Sequence, residues 1–491
     1  MVKIVASIPV EEIDASILKA NEALASGADM VEFRLDALPE PSKKSVDSIL
    51  SRLRPDACIF TVRSLGEGGV REHANWGEVL SHASGRGGSI DVEAERFEST
   101  MFAERANVLI SRHGDMVSIA RMREDITRHP GASMYKGAFR VVSLKDVFEL
   151  VSFARELRSK GVRFTLSGMG PLGPFSRYLL PLYGSAHAYV HVGAPTADGQ
   201  PPLGDFRRTM SGLSVQEPEG VLCLLGKGIG QSLSPAMHNA ALRKYGIDWV
   251  YLPLDVGESI QSLLKEATSL PIKGFNVTIP YKEEVLPHLD QLSPECAKIK
   301  AVNTIVIKDG KLWGHNTDAE GFERALMQNL RRAGVADLVA LRAMVIGAGG
   351  SARAAVYSLS KGGADVFVFN RTKERAEAIA REFGCRMSGN LQMVEMVAGK
   401  MDLIVNCTPM TSLNESPVPQ SSLLPKHVVM DMVYRPFKTR LLKEAAIQGA
   451  RTIEGLHMLA HQAALSFELW TGRQISADFM LEKGLGALLA G

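Results

Sequence analysis

In the first half of the chain, up to about residue 212, short apolar runs alternate with longer stretches whose apolar positions recur every three or four residues. The short runs predict strands, and the longer stretches, such as residues 11–25 and 144–159, predict amphipathic helices. Eight strands are predicted, at residues 2–8, 29–35, 57–62, 89–92, 107–111, 135–142, 163–167 and 188–192. Strands and helices that alternate over about 200 residues predict an α/β fold, here a (β/α)8 barrel.

A second folding region is predicted after residue 219. The segment SGLSVQEPEG, at residues 211–220, is poor in apolar residues and contains Gly, Ser, Pro and acidic side chains, which is typical of a linker. New strands are then predicted at VLCLLG (221–226), 274–278, 343–346, 364–369, 403–407 and 428–432. We therefore place the end of the first domain at residue 212 and the start of the next at residue 219.

The composition indicates a globular protein of several domains and gives no sign of a nucleic-acid-binding or membrane protein. The chain has 491 residues, 45% hydrophobic and 22% charged, which suggests about three ordinary globular domains. A net charge of +2 gives no reason to expect nucleic acid or a membrane surface as a partner. The five cysteines form no CxxC pair, so no metal site and no disulfide framework is expected. With no apolar segment of about 20 residues and no signal-like N-terminus, a cytoplasmic location is expected, unless a targeting segment is missing from the sequence.

Polar residues gather where the barrel strands end, which is where such barrels place their chemistry. Lys136 lies inside the apolar run MYKGAFRVV, where burial favours a neutral amine that can attack a ketone. A lysine that extends to the barrel mouth explains the same pattern equally well. His113, in ISRHGD, is either a core histidine or a proton shuttle for the lysine on the neighbouring strand.

At this point the first half resembles the type I 3-dehydroquinate dehydratases. The resemblance covers the half in order, through VEFRLD (31–36), TVR and EGG (61–63 and 67–69), SRHG (111–114), the Lys136 strand, FSRY (175–178) and TADGQ (196–200). It implies that Lys136 forms a Schiff base with the substrate ketone and that His113 moves the proton. It implies substrate binding by Glu32, Arg34, Arg63, Arg177, Thr196 and Gln200, with residues 193–200 as a lid. Rim salt bridges are the alternative for Arg34 and Arg63.

Later in the chain, NVTIPYK (276–282) is predicted to be a strand that stops at Pro280, with Lys282 at the start of a helix. The motif HNTD (315–318) supplies Asp318, which is either a helix N-cap or the carboxylate partner of Lys282. Ser234, which precedes Pro235, is likewise a standard helix start, and its hydroxyl could also face a ligand.

Together with AVNT (301–304), these motifs resemble shikimate dehydrogenase. The resemblance implies a substrate domain at residues 219–336, completed by 456–491, and a dinucleotide domain at 337–455. It implies that Lys282 and Asp318 are catalytic. It also implies substrate binding by Ser232, Ser234, Thr278, Asn303, Tyr434 and Gln462, although for Gln462 a position beside the core is the simpler explanation.

The strand at 343–346 leads into GAGGSARA (347–354) and then a helix, which is the GxGxxA form of a dinucleotide loop. After the next strand, NRT offers Arg371, with Arg375 one turn on, where an NAD site would have an acid. NADP is therefore predicted over NAD. The predicted cofactor residues are Gly347, Ala348, Gly349, Gly350, Ser351, Asn370, Arg371, Thr372 and Arg375, with Thr408, Gly455 and Met458 on the nicotinamide side.

The two resemblances predict a bifunctional enzyme: a lyase that converts 3-dehydroquinate to 3-dehydroshikimate, and an oxidoreductase that reduces this ketone to shikimate with NADPH. Three alternatives remain open. They are a ligand-sensing regulator that resembles the quinate-pathway repressors, an enzyme with one active half, and a dehydrogenase that acts on quinate with NAD. The joint presence of Lys136, His113, Lys282 and Asp318 argues against the regulator.

Overall fold

The structure is a computed structural model that describes residues 2–98, 102, 107–256, 259–332, 334–412 and 414–489. The chain divides into two compact units. The first comprises Met1–Glu219, Gly228–Gln231 and Leu252–Leu270, and the second comprises Gly220–Lys227, Ser232–Tyr251 and Pro271–Gly491.

The first unit contains a parallel sheet of eight strands. They are β1 (Lys3–Pro9), β2 (Met30–Arg34), β3 (Cys58–Thr61), β4 (Ser89–Glu93), β5 (Val108–Gly114), β6 (Met134–Arg140), β7 (Phe164–Met169) and β8 (His187–His191). The helices are α1 (Ile13–Ala25), α2 (Lys43–Leu50), α3 (Trp76–Gly85), α4 (Ser118–Arg128), α5 (Leu144–Ser159), α6 (Gly173–Leu179) and α7 (Leu203–Met210). The strand order β7-β6-β5-β4-β3-β2-β1-β8 confirms the predicted barrel fold.

The barrel closes between β7 and β8 largely through side chains. The amide of Leu166 donates to Ser185 Oγ at 3.0 Å, and the amide of His187 donates to Thr165 Oγ1 at 3.1 Å. One backbone bond, from Ala186 N to Phe164 O at 2.8 Å, completes the seam. Hydroxyl groups thus satisfy backbone amides that a continuous ladder would otherwise pair.

Side chains inside the barrel form an apolar floor with a polar layer above it. The floor is a cluster of buried residues, Val5, Met30, Ile59, Leu109, Met134 and Tyr189. Side chains two residues apart on a strand share a face, so the next inward positions along these strands lie one layer nearer the carboxyl ends. Those positions hold Ser7, Glu32, Thr61, Ser111 and Lys136, all of them buried. The polar layer therefore lies on the side of the barrel where the strands end.

The middle of the chain forms a mixed sheet. Its strands are β9 (Gly220–Gly226), β10 (Trp249–Asp255), β11 (Ile272–Val277), β12 (Gln291–Leu292), β13 (Thr304–Lys308) and β14 (Lys311–His315), in the order β10-β9-β11-β13-β14-β12. The helices are α8 (Ser234–Lys244), α9 (Ile260–Ala267), α10 (Pro294–Ile299) and α11 (Thr317–Arg331). Strand β11 runs parallel to β9 and antiparallel to β13.

A parallel sheet follows, with strands β15 (Arg342–Ile346), β16 (Asp365–Phe369), β17 (Met387–Gly389), β18 (Leu403–Asn406), β19 (Val428–Asp431) and β20 (Arg451–Ile453). The helices are α12 (Gly350–Lys361), α13 (Lys373–Phe383), α14 (Val394–Ala398), α15 (Arg440–Ile447), α16 (Gly455–Thr471) and α17 (Ala477–Leu489). The order β17-β16-β15-β18-β19-β20 reverses direction between β15 and β18, as in dinucleotide-binding sheets, and confirms the predicted Rossmann-like fold.

The prediction that Lys282 begins a helix is wrong. After β11 ends at Val277, residues 279–285 form turns, and the next regular element is a single 3-10 turn at Leu286–His288. The carbonyl oxygen of Lys282 accepts from the amide of Val302 at 2.7 Å, and the amide four residues on, that of Leu286, donates instead to the carbonyl oxygen of Glu283 at 3.3 Å. The lysine side chain is therefore carried by a turn that is tied to the segment before β13.

None of the helices in the described ranges has both the length and the apolar character to cross a bilayer.

Candidate active sites

Lys136 lies in the polar layer of the barrel and has two carboxylate partners. Its Nζ donates to Glu32 Oε1 at 2.8 Å and to Asp91 Oδ2 at 2.7 Å, and it lies 3.9 Å from the centroid of the Tyr189 ring. Both carboxylates are almost fully buried. The sequence emphasised the burial of Lys136 in an apolar strand with cations nearby, and the structure adds two carboxylates in direct contact with the amine. An acid beside a reactive amine can accept its proton.

Asp91 connects Lys136 to Arg63. Arg63 Nη2 lies 2.8 Å from Asp91 Oδ2, and Arg63 Nη1 donates to Ser111 Oγ at 2.8 Å. Burial alone would raise the pKa of the Asp91 carboxyl, but Arg63 and Lys136 together lower it. The other oxygen, Asp91 Oδ1, has no hydrogen-bond partner among the described residues. Sequence reasoning missed Asp91, although its place on β4 followed from the eight-strand pattern.

His113 and Lys136 lie on adjacent strands, but the hydrogen-bond partner of His113 is Glu67. His113 Nδ1 lies 2.8 Å from Glu67 Oε2, and the strand register pairs Ser111 with Lys136 and His113 with Ala138. Burial, with the cations Arg63 and Lys136, holds the pKa of the His113 imidazole well below its usual value. Burial also raises the pKa of Glu67 to about 7. The imidazole is therefore neutral near pH 7 and can accept a proton.

The Arg34 guanidinium forms the salt bridge that the sequence left open. Its Nε and Nη2 donate to the two oxygens of Asp36, each at 2.9 Å, and Nη2 also reaches the carbonyl oxygen of Gly68 at 3.3 Å. Asp36 in turn accepts from the amides of Arg63 and Val70 at 3.3 and 3.0 Å. Arg34 is therefore a residue that anchors the loop carrying Glu67, whatever contact it makes with a ligand.

The segment predicted as a lid lies over the polar layer. Thr196 Oγ1 donates to Ser7 Oγ at 2.7 Å, Ser7 Oγ donates to Glu32 Oε2 at 2.5 Å, and Gln200 Oε1 accepts from the Thr196 amide at 2.9 Å. This chain of bonds ends at the carboxylate that holds Lys136. Ser7 was not predicted, because nothing in its apolar strand marks a single serine as part of a site.

Arg177 is buried with hydrogen-bonding capacity unused. Its Nη1 reaches the carbonyl oxygen of Tyr189 at 3.4 Å, and its Nε has no partner among the described residues. Burial lowers the pKa of this guanidinium to about 10. A buried, under-satisfied guanidinium is costly unless an anion completes it, so Arg177 fits the carboxylate of a ligand.

In the second unit, Lys282 and Asp318 are in contact, as the sequence predicted. Lys282 Nζ lies 2.5 Å from Asp318 Oδ2, and Asn303 Nδ2 donates to Asp318 Oδ1 at 2.7 Å. Asp318 is not the helix cap, because the Asn316 side chain accepts from the Ala319 amide at 3.1 Å. With the cap supplied by Asn316, both oxygens of Asp318 are available to hold the lysine and the amide.

A group of buried hydroxyls lies next to the Lys282–Asp318 pair. Ser466 Oγ on α16 lies within hydrogen-bond distance of Thr304 Oγ1 at 2.8 Å, Thr317 Oγ1 at 3.0 Å and Asn276 Nδ2 at 3.1 Å. Gln462, one turn earlier on α16, accepts from Asn303 Nδ2 at 3.2 Å. Gln462 is therefore both buried beside the core, as the simpler explanation predicted, and hydrogen-bonded to Asn303, which contacts Asp318. Ser466 was missed, since no motif distinguishes this serine from the other polar residues of its helix.

Ser232 and Ser234, both predicted to bind substrate, lie at the start of α8. Ser232 Oγ accepts from the Ser234 amide at 3.2 Å, so Ser232, rather than Ser234, serves the start of α8. Tyr434 shares a side-chain hydrogen bond with Ser232, and Tyr251 shares one with Ser234. Thr278 is half-buried at the end of β11, and its amide donates to the Leu225 carbonyl oxygen at 2.9 Å.

The dinucleotide loop has the backbone that a phosphate site requires. Gly347 has a φ of +120°, and a Cβ on it would lie 3.1 Å from the Cys407 backbone. Gly349 is the N-cap of α12, no side chain caps this helix, and a Cβ on Gly349 would meet nothing within 4 Å. Ala348 lies between these glycines, and Gly350 begins the helix. Uncapped amides at an open helix start fit a pyrophosphate.

Further predicted cofactor residues lie at the carboxyl ends of the strands of the same sheet. Arg371, Thr372 and Arg375 are exposed after β16, neither guanidinium has a carboxylate partner among the described residues, and Asn370 Nδ2 donates to the Thr372 carbonyl oxygen at 2.9 Å. Thr408 Oγ1 donates to Asn406 Oδ1 at 2.7 Å. Gly455 begins α16 where a Cβ would lie 2.6 Å from the Met432 backbone, and Met458 is buried one turn on.

Comparison with known proteins finds family matches in successive parts of the chain. The family described as "Type I 3-dehydroquinase" matches residues 4–216. "Shikimate dehydrogenase substrate binding domain" matches residues 224–305, "Shikimate / quinate 5-dehydrogenase" matches 329–420, and "Shikimate 5'-dehydrogenase C-terminal domain" matches 455–483.

Individual relatives agree with the second part of this division. The NADP(+) shikimate dehydrogenase of Pyrococcus abyssi is 41% identical over 266 residues, which cover 54% of this chain and 97% of the relative. A crystal structure of shikimate dehydrogenase in complex with NADP+ is 37% identical with a TM-score of 0.51, covering 55% of this chain and 96% of that one. Quinate dehydrogenase from Corynebacterium glutamicum, in complex with NAD, is 34% identical with a TM-score of 0.50, covering 54% and 99%.

The barrel with its buried lysine and the pair of sheets with its dinucleotide loop thus each match a known family over nearly their whole length. The chain belongs to the type I 3-dehydroquinases in its first part and to the shikimate dehydrogenases in its second.

Proposed function

We propose that this bifunctional enzyme dehydrates 3-dehydroquinate to 3-dehydroshikimate in its barrel and reduces that product to shikimate with NADPH in its second half. The barrel domain is residues 1–212, the shikimate-binding domain is 219–336 completed by 456–491, and the NADP-binding domain is 337–455. The observation that carries the proposal is that each half contains a lysine of low exposure that contacts carboxylate oxygens. The barrel lysine, Lys136, has His113 on the adjacent strand, and Lys282 lies beside the dinucleotide loop.

In the barrel, one carboxylate partner of Lys136 accepts the proton that the ammonium must lose before the amine attacks the ketone. Loss of water from the adduct gives an iminium, which withdraws electrons and acidifies the adjacent carbon. His113, neutral at pH 7 and held by Glu67, takes that proton and returns it to the departing hydroxyl. Hydrolysis of the iminium then releases the product and the free lysine. Arg177 binds the substrate carboxylate, and Thr196 and Gln200 cover the site.

In the second half, bound NADPH supplies the hydride for the carbonyl carbon. Lys282 donates a proton to the carbonyl oxygen, and Asp318 keeps the ammonium oriented while the proton is transferred. Asn303 holds the second oxygen of Asp318 and so fixes the direction of the pair. Ser232, Ser234, Thr278 and Tyr434 supply hydroxyls for the substrate carboxylate and ring hydroxyls. The exposed guanidinium groups of Arg371 and Arg375 bind the 2′-phosphate, which explains a preference for NADP.

A single absorbance assay tests the proposal. Purified full-length protein given 3-dehydroquinate and NADPH is expected to oxidise NADPH after a lag, because the ketone for the second half must first be formed. With 3-dehydroshikimate the lag disappears, and with NADH the rate falls. A protein that neither consumes NADPH nor forms a borohydride-stable adduct with 3-dehydroquinate would instead be a ligand-binding regulator. Oxidation of quinate with NAD at a higher rate than shikimate with NADP+ would assign the second half to quinate.

Glu67→Gln is expected to change the pH dependence of dehydration. Because the pKa of Glu67 is about 7, the carboxylate that accepts from His113 Nδ1–H predominates only above that pH, and the rate should rise through it. The glutamine amide oxygen can still accept from Nδ1–H but cannot titrate. The variant should therefore lose the inflection near pH 7 and lose activity by about 10²-fold. A retained inflection in a pH series of kcat would show that another group titrates there.

A further inference from the structure

Lys282 has a second partner that its proposed role does not explain. Besides Asp318, its Nζ donates to Ser351 Oγ at 3.1 Å. Asp318 belongs to α11, whereas Ser351 is the second residue of α12, in the turn that follows the dinucleotide loop. The proposed proton donor is therefore held by one group beside the substrate pocket and by one group at the cofactor pocket.

The stem of the lysine also rests on this turn. A Cβ built on Gly350 would lie 3.0 Å from both Cβ and Cδ of Lys282. At such short distances there is no room for another side chain between Lys282 and the start of α12. A shift of the first turn of α12 would therefore move the aliphatic part of the Lys282 side chain through these contacts. It would move the ammonium group through the hydrogen bond to Ser351.

The donors of the ammonium group can be counted. A lysine ammonium has three N–H donors, of which Asp318 and Ser351 take two. With two directions fixed, the third N–H is confined to one direction, which suits donation to a carbonyl oxygen. With only Asp318 in place, the remaining two donors could rotate about the Lys282–Asp318 bond.

The O–H of Ser351 is available to donate a hydrogen bond. The hydroxyl oxygen accepts from Lys282, and the O–H has no acceptor among the described residues. The neighbouring amides at the start of α12 are uncapped, which is where a pyrophosphate oxygen would lie. A hydroxyl that donates to an anion becomes a better acceptor for a second donor, because successive hydrogen bonds polarise one another.

We propose that Ser351 is a positioning residue that links occupancy of the dinucleotide loop to the orientation of Lys282. With a dinucleotide phosphate bound, the Ser351 hydroxyl donates to a phosphate oxygen and holds the lysine ammonium more firmly through its lone pair. The lysine is then directed to the carbonyl oxygen only when the hydride donor is present. This inference rests on the proposed NADPH-dependent reduction and adds a role for one side chain within it.

The test uses full-length Ser351→Ala, with Ser360→Ala on the same helix as the matched control. Ser351→Ala is expected to lower kcat for 3-dehydroshikimate reduction about tenfold, the size of one hydrogen bond to a charged group. NADPH affinity, measured by fluorescence titration, should weaken by no more than a similar factor, because the amides at the start of α12 still bind the pyrophosphate, and kcat is therefore compared at saturating NADPH. Alanine is a better helix former than serine, so loss of folding is not expected, and dehydratase activity of the same sample checks it.

A second readout needs no turnover. In the parent protein, binding of NADP+ should slow acylation of the Lys282 amine by a small reagent, as followed by mass spectrometry, and Ser360→Ala should behave in the same way. Ser351→Ala should lose this response to NADP+. An unchanged kcat, or a labelling response to NADP+ equal to that of the parent, would overturn the proposed link. If the parent protein itself reduces no 3-dehydroshikimate, the proposed function fails, which is a separate result.

Discussion

Lys136→Arg is expected to abolish dehydration of 3-dehydroquinate and to leave the oxidation of shikimate by NADP+ intact. Arginine retains the positive charge between Glu32 and Asp91, but its guanidinium does not lose a proton near neutral pH and forms no Schiff base. The dehydratase rate should fall by on the order of 10⁴-fold or more, as expected when a covalent nucleophile is lost. Borohydride in the presence of 3-dehydroquinate should label the parent protein at Lys136 and leave the variant unlabelled.

The companion variant Lys136→Ala separates chemistry from folding. It removes the amine and also the charge, so buried Glu32 loses the cation it contacts and buried Asp91 keeps only Arg63. Loss of one partner of a buried ion pair typically costs about 3–5 kcal/mol of folding free energy. Thermal unfolding of the barrel should therefore occur earlier in Lys136→Ala than in Lys136→Arg, while both lack dehydratase activity. Lys160→Ala, at an exposed lysine of the same unit, is the control and should change neither property. Loss of shikimate oxidation in Lys136→Arg would contradict independent sites.

Asp318→Asn is expected to give the opposite pattern, with dehydration retained and dehydrogenation lost. Asparagine has the size of aspartate but no charge, so Lys282 loses the partner that its Nζ meets at 2.5 Å. Loss of this orienting carboxylate should lower kcat/KM for 3-dehydroshikimate by about 10²- to 10⁴-fold, the range for general acid–base groups. Steady-state rates of both reactions on one preparation make the comparison.

Glu320→Gln is the matched control for Asp318→Asn, because it changes an exposed carboxylate two residues further along α11. It should leave both reactions unchanged. The proposed role of Asp318 would be contradicted by an Asp318→Asn variant with parental kcat/KM for 3-dehydroshikimate, or by one in which dehydration falls equally.

Local patterns in the sequence were sufficient to predict the strands of the barrel. Each of the eight predicted barrel strands overlaps an observed strand, because parallel strands covered on both faces are continuous apolar runs bounded by polar turns. The contact between Lys282 and Asp318 was also predictable, since two short motifs carry the pair. The helix expected at Lys282 was wrong, and the turn found there is tied by a non-local bond from the Val302 amide to the Lys282 carbonyl oxygen, which no local pattern indicates.

The partners of the barrel residues were less predictable, because they come from far along the chain. Lys136 meets Asp91 from 45 residues away and Glu32 from 104 residues away, and His113 meets Glu67 from 46. Only the curvature of the barrel brings these strands together, and no spacing rule encodes it. Ser466 is a similar case, since the partners that link it to the site lie 149 to 190 residues earlier in the chain. The catalytic roles assigned to these residues stay predictions until the variants are measured.

The seam between β7 and β8 affects where the barrel is expected to open locally. Elsewhere around the barrel a strand can detach only by breaking a row of backbone bonds, but here Ser185 and Thr165 replace part of that row. Sub-global opening of a protein follows the boundary with the least cooperative bonding. We therefore expect sub-global opening of the barrel to begin at this edge. Glu32 on β2 and Asp91 on β4 lie away from it, so we expect these two carboxylates to stay in place while the seam opens.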